Sequence, residues 1–180
     1  MIMDTTLIDS ALQAAVTAAT DNPQRIASAA VAGWPVENGT SAMIQTDLYR
    51  TISGTGFKVT GTIVFPNGYR AQRIVDVGPN ASQSKEWPKD IEAAATEYGA
   101  KQVHNALLFV ARHFSQAEQT ALLFKWGGVV SSGDVEQHPK LAAFAAWIAS
   151  VSTAALTGQM FPQPPSSTFV ELMAEVPSLS

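Results

Sequence analysis

Residues 57–65 read FKVTGTIVF and residues 69–77 read YRAQRIVDV, with Pro66, Asn67 and Gly68 between them. Both runs alternate β-formers with polar residues, and a Pro-Asn-Gly junction supplies the backbone freedom of a tight reversal. The stretch therefore predicts a hairpin over 57–77. On its first strand the alternation places Phe57, Val59, Gly61, Ile63 and Phe65 on one face, the predicted core face, and Lys58, Thr60, Thr62 and Val64 on the other. The return strand sets Tyr69, Ala71, Arg73 and Val75 against Arg70, Gln72, Ile74 and Asp76, a mixed pattern that suits an edge or a bulge.

Upstream, Leu7, Ile8, Leu12, Ala15, Val16 and Ala19 recur at helical spacing, and Asp21-Asn22-Pro23 closes that helix. A short second helix is expected from Pro23 to about Ala32, then a loop through Trp34-Pro35 and Glu37-Asn38-Gly39. Residues 42–52 read as a strand, although Met43-Ile44 and Leu48-Tyr49 also fit a helical face. Downstream everything reads helical. Pro88 suits the first turn of a long helix reaching Phe114. Ser115 with Glu118 forms a capping-box pattern that starts another helix, ended by Gly127-Gly128. A loop from Val129 to Gln137 leads to a helix from Pro139 to Thr157, with Leu141, Phe144, Ile148, Val151 and Ala155 in one stripe and Gly158 as its cap. An extended Phe161-Pro162-Gln163-Pro164-Pro165 segment and a second capping box, Thr168 with Glu171, complete the series.

The expected fold is thus α+β: a small antiparallel sheet with the hairpin packed by a long helix, plus a C-terminal helical lobe. Residues 1–114 form the α+β core with N-terminal helices. Residues 115–180 form the helical lobe and an extended proline-rich docking segment, and 180 residues suit one compact unit.

Several chemistries lack their sequence basis. With no cysteine there is no disulfide, thiol nucleophile or thiolate metal site. His104 and His113 lie about 180° apart on a straight helix, and no His-Glu-x-x-His motif joins them to His138. No Gly-x-Ser-x-Gly elbow frames a serine, and Gly54-Thr55-Gly56 is too short for a dinucleotide loop. Asp90 with Glu92, and Glu171 with Glu175, read as helix-terminal or solvated charges rather than a catalytic pair. The expectation is a non-enzymatic protein with no metal and no cofactor. The amino terminus lacks a basic region followed by an apolar core, and no run of about 20 apolar residues stands out, so a cytosolic or cell-free chain without membrane contact is expected.

Charge is low and uneven. Only 14% of residues are charged, and the net charge is −4. From Arg50 to Arg112 eight bases face five acids, a local +3, which leaves −7 on the flanks. That split suits ordinary solvated faces, an anionic ligand on the sheet, or an acidic face of a neighbouring subunit. Arg70, Arg73, Lys85, Trp87 and Lys89 are the candidate nucleic-acid contacts, because bases neutralise phosphate while rings such as Tyr69 and Trp87 stack. The order of sheet, polar loop and helix, with Ala93 to Lys101 running on toward Leu107-Leu108, resembles the phage single-strand annealing proteins over about a third of the chain. That resemblance implies single-strand binding. It departs at Lys101-Gln102, where those proteins carry an arginine pair after the tyrosine.

The C-terminal third, from Leu141 to Leu156 through Phe161-Pro162, Pro164-Pro165, Thr168-Phe169 and Glu171-Leu172, resembles the endings of small structural or tail-associated proteins of tailed bacteriophages. It implies a virion subunit from the tail or head–tail region, made in the host cytoplasm and partnered by other virion subunits and copies of itself. The expected interface residues are Phe65, Asn67, Tyr69 and Arg70 at the hairpin tip and Phe161, Pro164, Pro165, Phe169 and Leu172 in the tail. A small inhibitor or adaptor that covers a host protein's surface fits the same residues.

Overall fold

In the computed structural model, residues 3–22, 27–35 and 39–175 are described. Helix α1 (Thr6–Asp21) precedes four strands, β1 (Ala27–Ala30), β2 (Ser41–Thr51), β3 (Gly54–Val64) and β4 (Arg70–Val77). Four helices follow: α2 (Ile91–Ala111), α3 (Gln116–Ser132), α4 (Pro139–Thr157) and α5 (Phe169–Glu175). The fold is α+β, and the strands form one antiparallel sheet in the order β1-β2-β3-β4. The hairpin lies where the alternation puts it, with Ile63 opposite Ala71 and Phe57 opposite Val77 in a continuous register without a bulge.

The chain divides into two compact units, residues 1–98 and 99–180, and the boundary falls inside α2 rather than at residue 114. In the first unit α1 lies on the sheet face that carries Phe57, Val59 and Ile63, and Ile8 and Leu12 are buried with them. Gly61 makes this possible, because a Cβ there would stand 2.9 Å from Leu12 Cδ1. Thr60 and Thr62, on the face opposite the predicted core face, are buried as well. They sit on a central strand with β2 paired on one side and β4 on the other.

Three local expectations are corrected. The second helix does not form over its described part: Ala27–Ala30 is an edge strand paired with β2, and residues 23–26 lie outside the described residues. Alanine's helix preference amounts to less than about 1 kcal/mol per residue against most residue types, which a tertiary ladder readily outweighs. Helix α2 begins at Ile91 rather than Pro88, because Asp90 Oδ1 accepts from the Ala93 amide, and it stops at Ala111 rather than Phe114. Finally, Gly127-Gly128 does not end α3. The helix continues to Ser132 and closes on Gly133 in the left-handed conformation. Two interior glycines weaken a helix by about 1 kcal/mol each without stopping it, and buried Val129 continues the stripe begun by Leu122.

The second unit is all-helical around Phe114, Leu122, Leu141, Phe144, Val151 and Leu172. Ser115 and Glu118 form the expected capping box. Thr168 and Glu171 form the other: the Glu171 carboxylate accepts from the Thr168 amide at 2.7 Å. Glu175 at the end of α5 accepts from the Lys140 and Leu141 amides at 3.0 and 2.7 Å, so α5 caps the start of α4 from outside. Glu175→Ala is expected to lower the stability of this unit by about 1 kcal/mol, the usual worth of an N-terminal cap. A thermal melt checks it, and an unchanged midpoint contradicts it.

Candidate interaction surfaces

The hairpin tip is tied to the start of α2. Asn67 Nδ2 donates to the Ala95 carbonyl at 2.7 Å while its Oδ1 accepts from the Tyr69 amide. Phe65, Tyr69 and Tyr98 form a chain of tilted rings 5.8 and 5.7 Å apart. Of the four tip residues in the expected interface, Phe65, Asn67 and Tyr69 are half-buried in these internal contacts and only Arg70 is exposed.

The five nucleic-acid candidates do not share one face of the sheet. Arg70 and Arg73 stand three residues apart on β4 and so point to opposite faces. Arg73 Nη1 lies 2.8 Å from Asp9 Oδ1, and its Nε lies 3.0 Å from Glu86 Oε2. Trp87 Nε1 donates to the same Asp9 oxygen at 2.8 Å, and the Thr5 hydroxyl donates to the other at 2.7 Å. Arg73 and Trp87 are therefore bound to α1, while Arg70, Lys85 and Lys89 are exposed. Lys85 pairs through its backbone with Ile74, which closes part of the outer edge of β4.

Asp9 is a hub that nothing local in the sequence announces, since Arg73 and Trp87 are 64 and 78 residues away. Burial raises its pKa, but hydrogen bonds from Trp87, Arg73 and Thr5 outweigh that and hold the carboxyl below its ordinary range. A depressed folded-state pKa contributes stability above the unfolded value near 3.9, and that contribution is lost as pH falls through the folded value. The first unit is thus expected to lose stability on acidification below about pH 4. In Asp9→Asn the loss should be shallower, as read by urea melts at several pH values; an equal slope in both proteins contradicts the assignment.

Tyr49 donates to Asp76, a carboxylate only 5% exposed, and the Asp76 amide donates to Ser84 Oγ. Burial, and then donation to Asp76, raise the Tyr49 pKa. Among the described residues no three His, Cys, Asp or Glu side chains group closely enough to hold a metal ion.

The tail is packed onto its own unit. Leu172 is 0% exposed, and Phe161 and Phe169 pack against the helical core. Phe161 lies 5.0 Å from the Phe109 ring, and Trp147 Nε1 donates to the Pro162 carbonyl at 3.1 Å. Leu172 is therefore corrected from interface to core: α5 is too short to bury its apolar side chains alone, and α3 and α4 supply the pocket. Pro164 and Pro165 are half-buried.

Large apolar side chains are exposed elsewhere. In the first unit Ile52 stands free at the tip of the β2–β3 turn. In the second, Val103, Leu107 and Leu108 are exposed on α2, and Leu123, Phe124 and Val130 on α3. Leu156 at the end of α4, then Met160 and Val170, are 63%, 94% and 73% exposed. From Leu141 to Val170 the chain carries no Asp, Glu, Lys or Arg. Contrary to the sequence expectation, α4 is long and apolar enough to cross a membrane, with a mean hydropathy of 1.3; its stripe from Leu141 to Ala155 forms the core of the second unit. No family model, curated protein or solved structure matches the chain.

Proposed function

We propose that the protein is a non-enzymatic structural subunit of a tailed-bacteriophage particle, acting through contacts between subunits. The observation that carries this is the charge-free stretch from Leu141 to Val170, whose outward residues include Leu156, Met160 and Val170. Thirty residues without a charge would be an ordinary core if they were buried. Here the inner stripe is core and the outer positions face solvent. A subunit interface disfavours charge at its centre and tolerates apolar and small residues, so such a surface is suited to being covered. The C-terminal resemblance supplies the kind of assembly.

Leu156→Glu combined with Met160→Glu places two charges on that surface and disturbs no buried side chain. The double variant is expected to melt within a few degrees of the parent, a surface substitution being worth about 0.5 kcal/mol or less. It should nevertheless be absent from density-gradient-purified particles that contain the parent chain. Equal incorporation of parent and variant, or no parent chain in particles, overturns the proposal.

A further inference from the structure

We propose that α3 pairs antiparallel with α3 of a second copy of this chain across a two-fold axis, the Phe124 ring of each copy seating over Gly127 and Gly128 of the other. The partner this names, another copy, builds on the assembly reading above, and the two can fail separately: particles can contain the chain whether or not α3 pairs with itself.

Phe124 is 85% exposed in the middle of a 17-residue helix. At 100° per residue, Ala117, Thr120, Ala121, Gly127, Gly128 and Ser131 all lie within about 60° of it. All are exposed but Ala121, which is half-buried. The two charges of the helix lie well to the side, at about 100° for Lys125 and 120° for Glu118. Lys125 Nζ donates to the Met173 carbonyl and Glu118 serves the capping box. Covering the Phe124 face therefore strips water from neither charge of α3.

The glycines are the telling pair. A Cβ added to either would meet nothing within 4 Å, and neither has a positive φ. Neither packing within the chain nor backbone conformation calls for glycine there, and both weaken the helix relative to alanine. What glycine does permit is close approach of a neighbour to the helix backbone. Phe124 and the glycine pair sit one turn apart on a common face, so knob and recess belong to the same helix. Reversing a second copy of α3 about a point between Lys125 and Trp126 places each knob over the other's recess, the reciprocal contact that a two-fold interface requires. The same register sets Thr120 against Ser131.

Because the chain has no cysteine, the register can be tested directly. Thr120 and Ser131 are eleven residues apart on one helix, about 16.5 Å, which is too far for a disulfide within one chain. In the antiparallel pair, Thr120 of one copy meets Ser131 of the other. Mild oxidation of the Thr120→Cys, Ser131→Cys variant is expected to give a covalent dimer, while each single variant stays monomeric on a denaturing gel. No dimer from the double variant, or equal cross-linking of the singles, overturns the pairing. A second variant, Gly127→Ala with Gly128→Ala, is expected to melt higher than the parent yet to self-associate at least tenfold more weakly in sedimentation velocity. Unchanged self-association also overturns it.

Discussion

Leu172→Ala is expected to destabilise the helical unit by about 2–5 kcal/mol, the range for emptying a buried leucine site. Leu172 is wholly buried among side chains of the second unit, and it is the one fully buried residue that α5 contributes. A domain of about 80 residues has only several kcal/mol of net stability, so this loss removes a large share of it. Hydrogen exchange reads the effect by region: peptides from α3, α4 and α5 should exchange markedly faster in the variant. Protection equal to the parent's would mean that α5 does not hold the unit together. Phe169→Asp belongs in the same class. Phe169 packs on the same core, so a charge there is expected to loosen α5, and any loss of assembly in that variant would report on folding as much as on contact.

Gly56→Ala is the second large effect, in the sheet unit. A Cβ at Gly56 would lie 2.6 Å from the Tyr49 hydroxyl and 2.7 Å from the Val77 carbonyl oxygen. The carbonyl belongs to the paired strand and cannot step aside without opening the β3–β4 ladder. Tyr49 could move only by giving up its donation to Asp76 and its acceptance from the Asn80 amide. Overpacking costs about 1–3 kcal/mol, and a buried carboxylate left without its donor costs about 1–3 more. The expected result is a clear drop in the urea midpoint, with faster exchange in peptides from β3 and β4. A midpoint within error of the parent contradicts the close approach.

Much of the fold was legible because its signals are local. Pro66-Asn67-Gly68 and the flanking alternation define the hairpin, and the capping boxes at Ser115 and Thr168 set helix starts through contacts only three residues long. Where the signal is long-range, reading the chain alone failed. Ala27–Ala30 is a strand only because β2 offers it an edge. Asp9 is a hub only because β4 and the Trp87 segment return to it. Leu172 has the same apolar character whether it faces a partner or fills the pocket beside α3 and α4, so an apolar tail reads alike in both settings. The exposed surface had a usable signal in the uncharged run from Leu141 to Val170 and in the small residues around Phe124. Which of those positions face outward is fixed by packing among helices far apart in sequence.

The most direct test compares one chain in two states. Hydroxyl-radical footprinting of the purified protein and of gradient-purified particles reads side-chain access residue by residue, and Met160, almost fully exposed in the structure, is a reactive reporter. The expected result is heavy oxidation of Met160 and labelling of Leu156 in the free chain, with strong protection of both in particles. Absence of the chain from particles, or equal labelling in the two states, would contradict a subunit that works by having this surface covered.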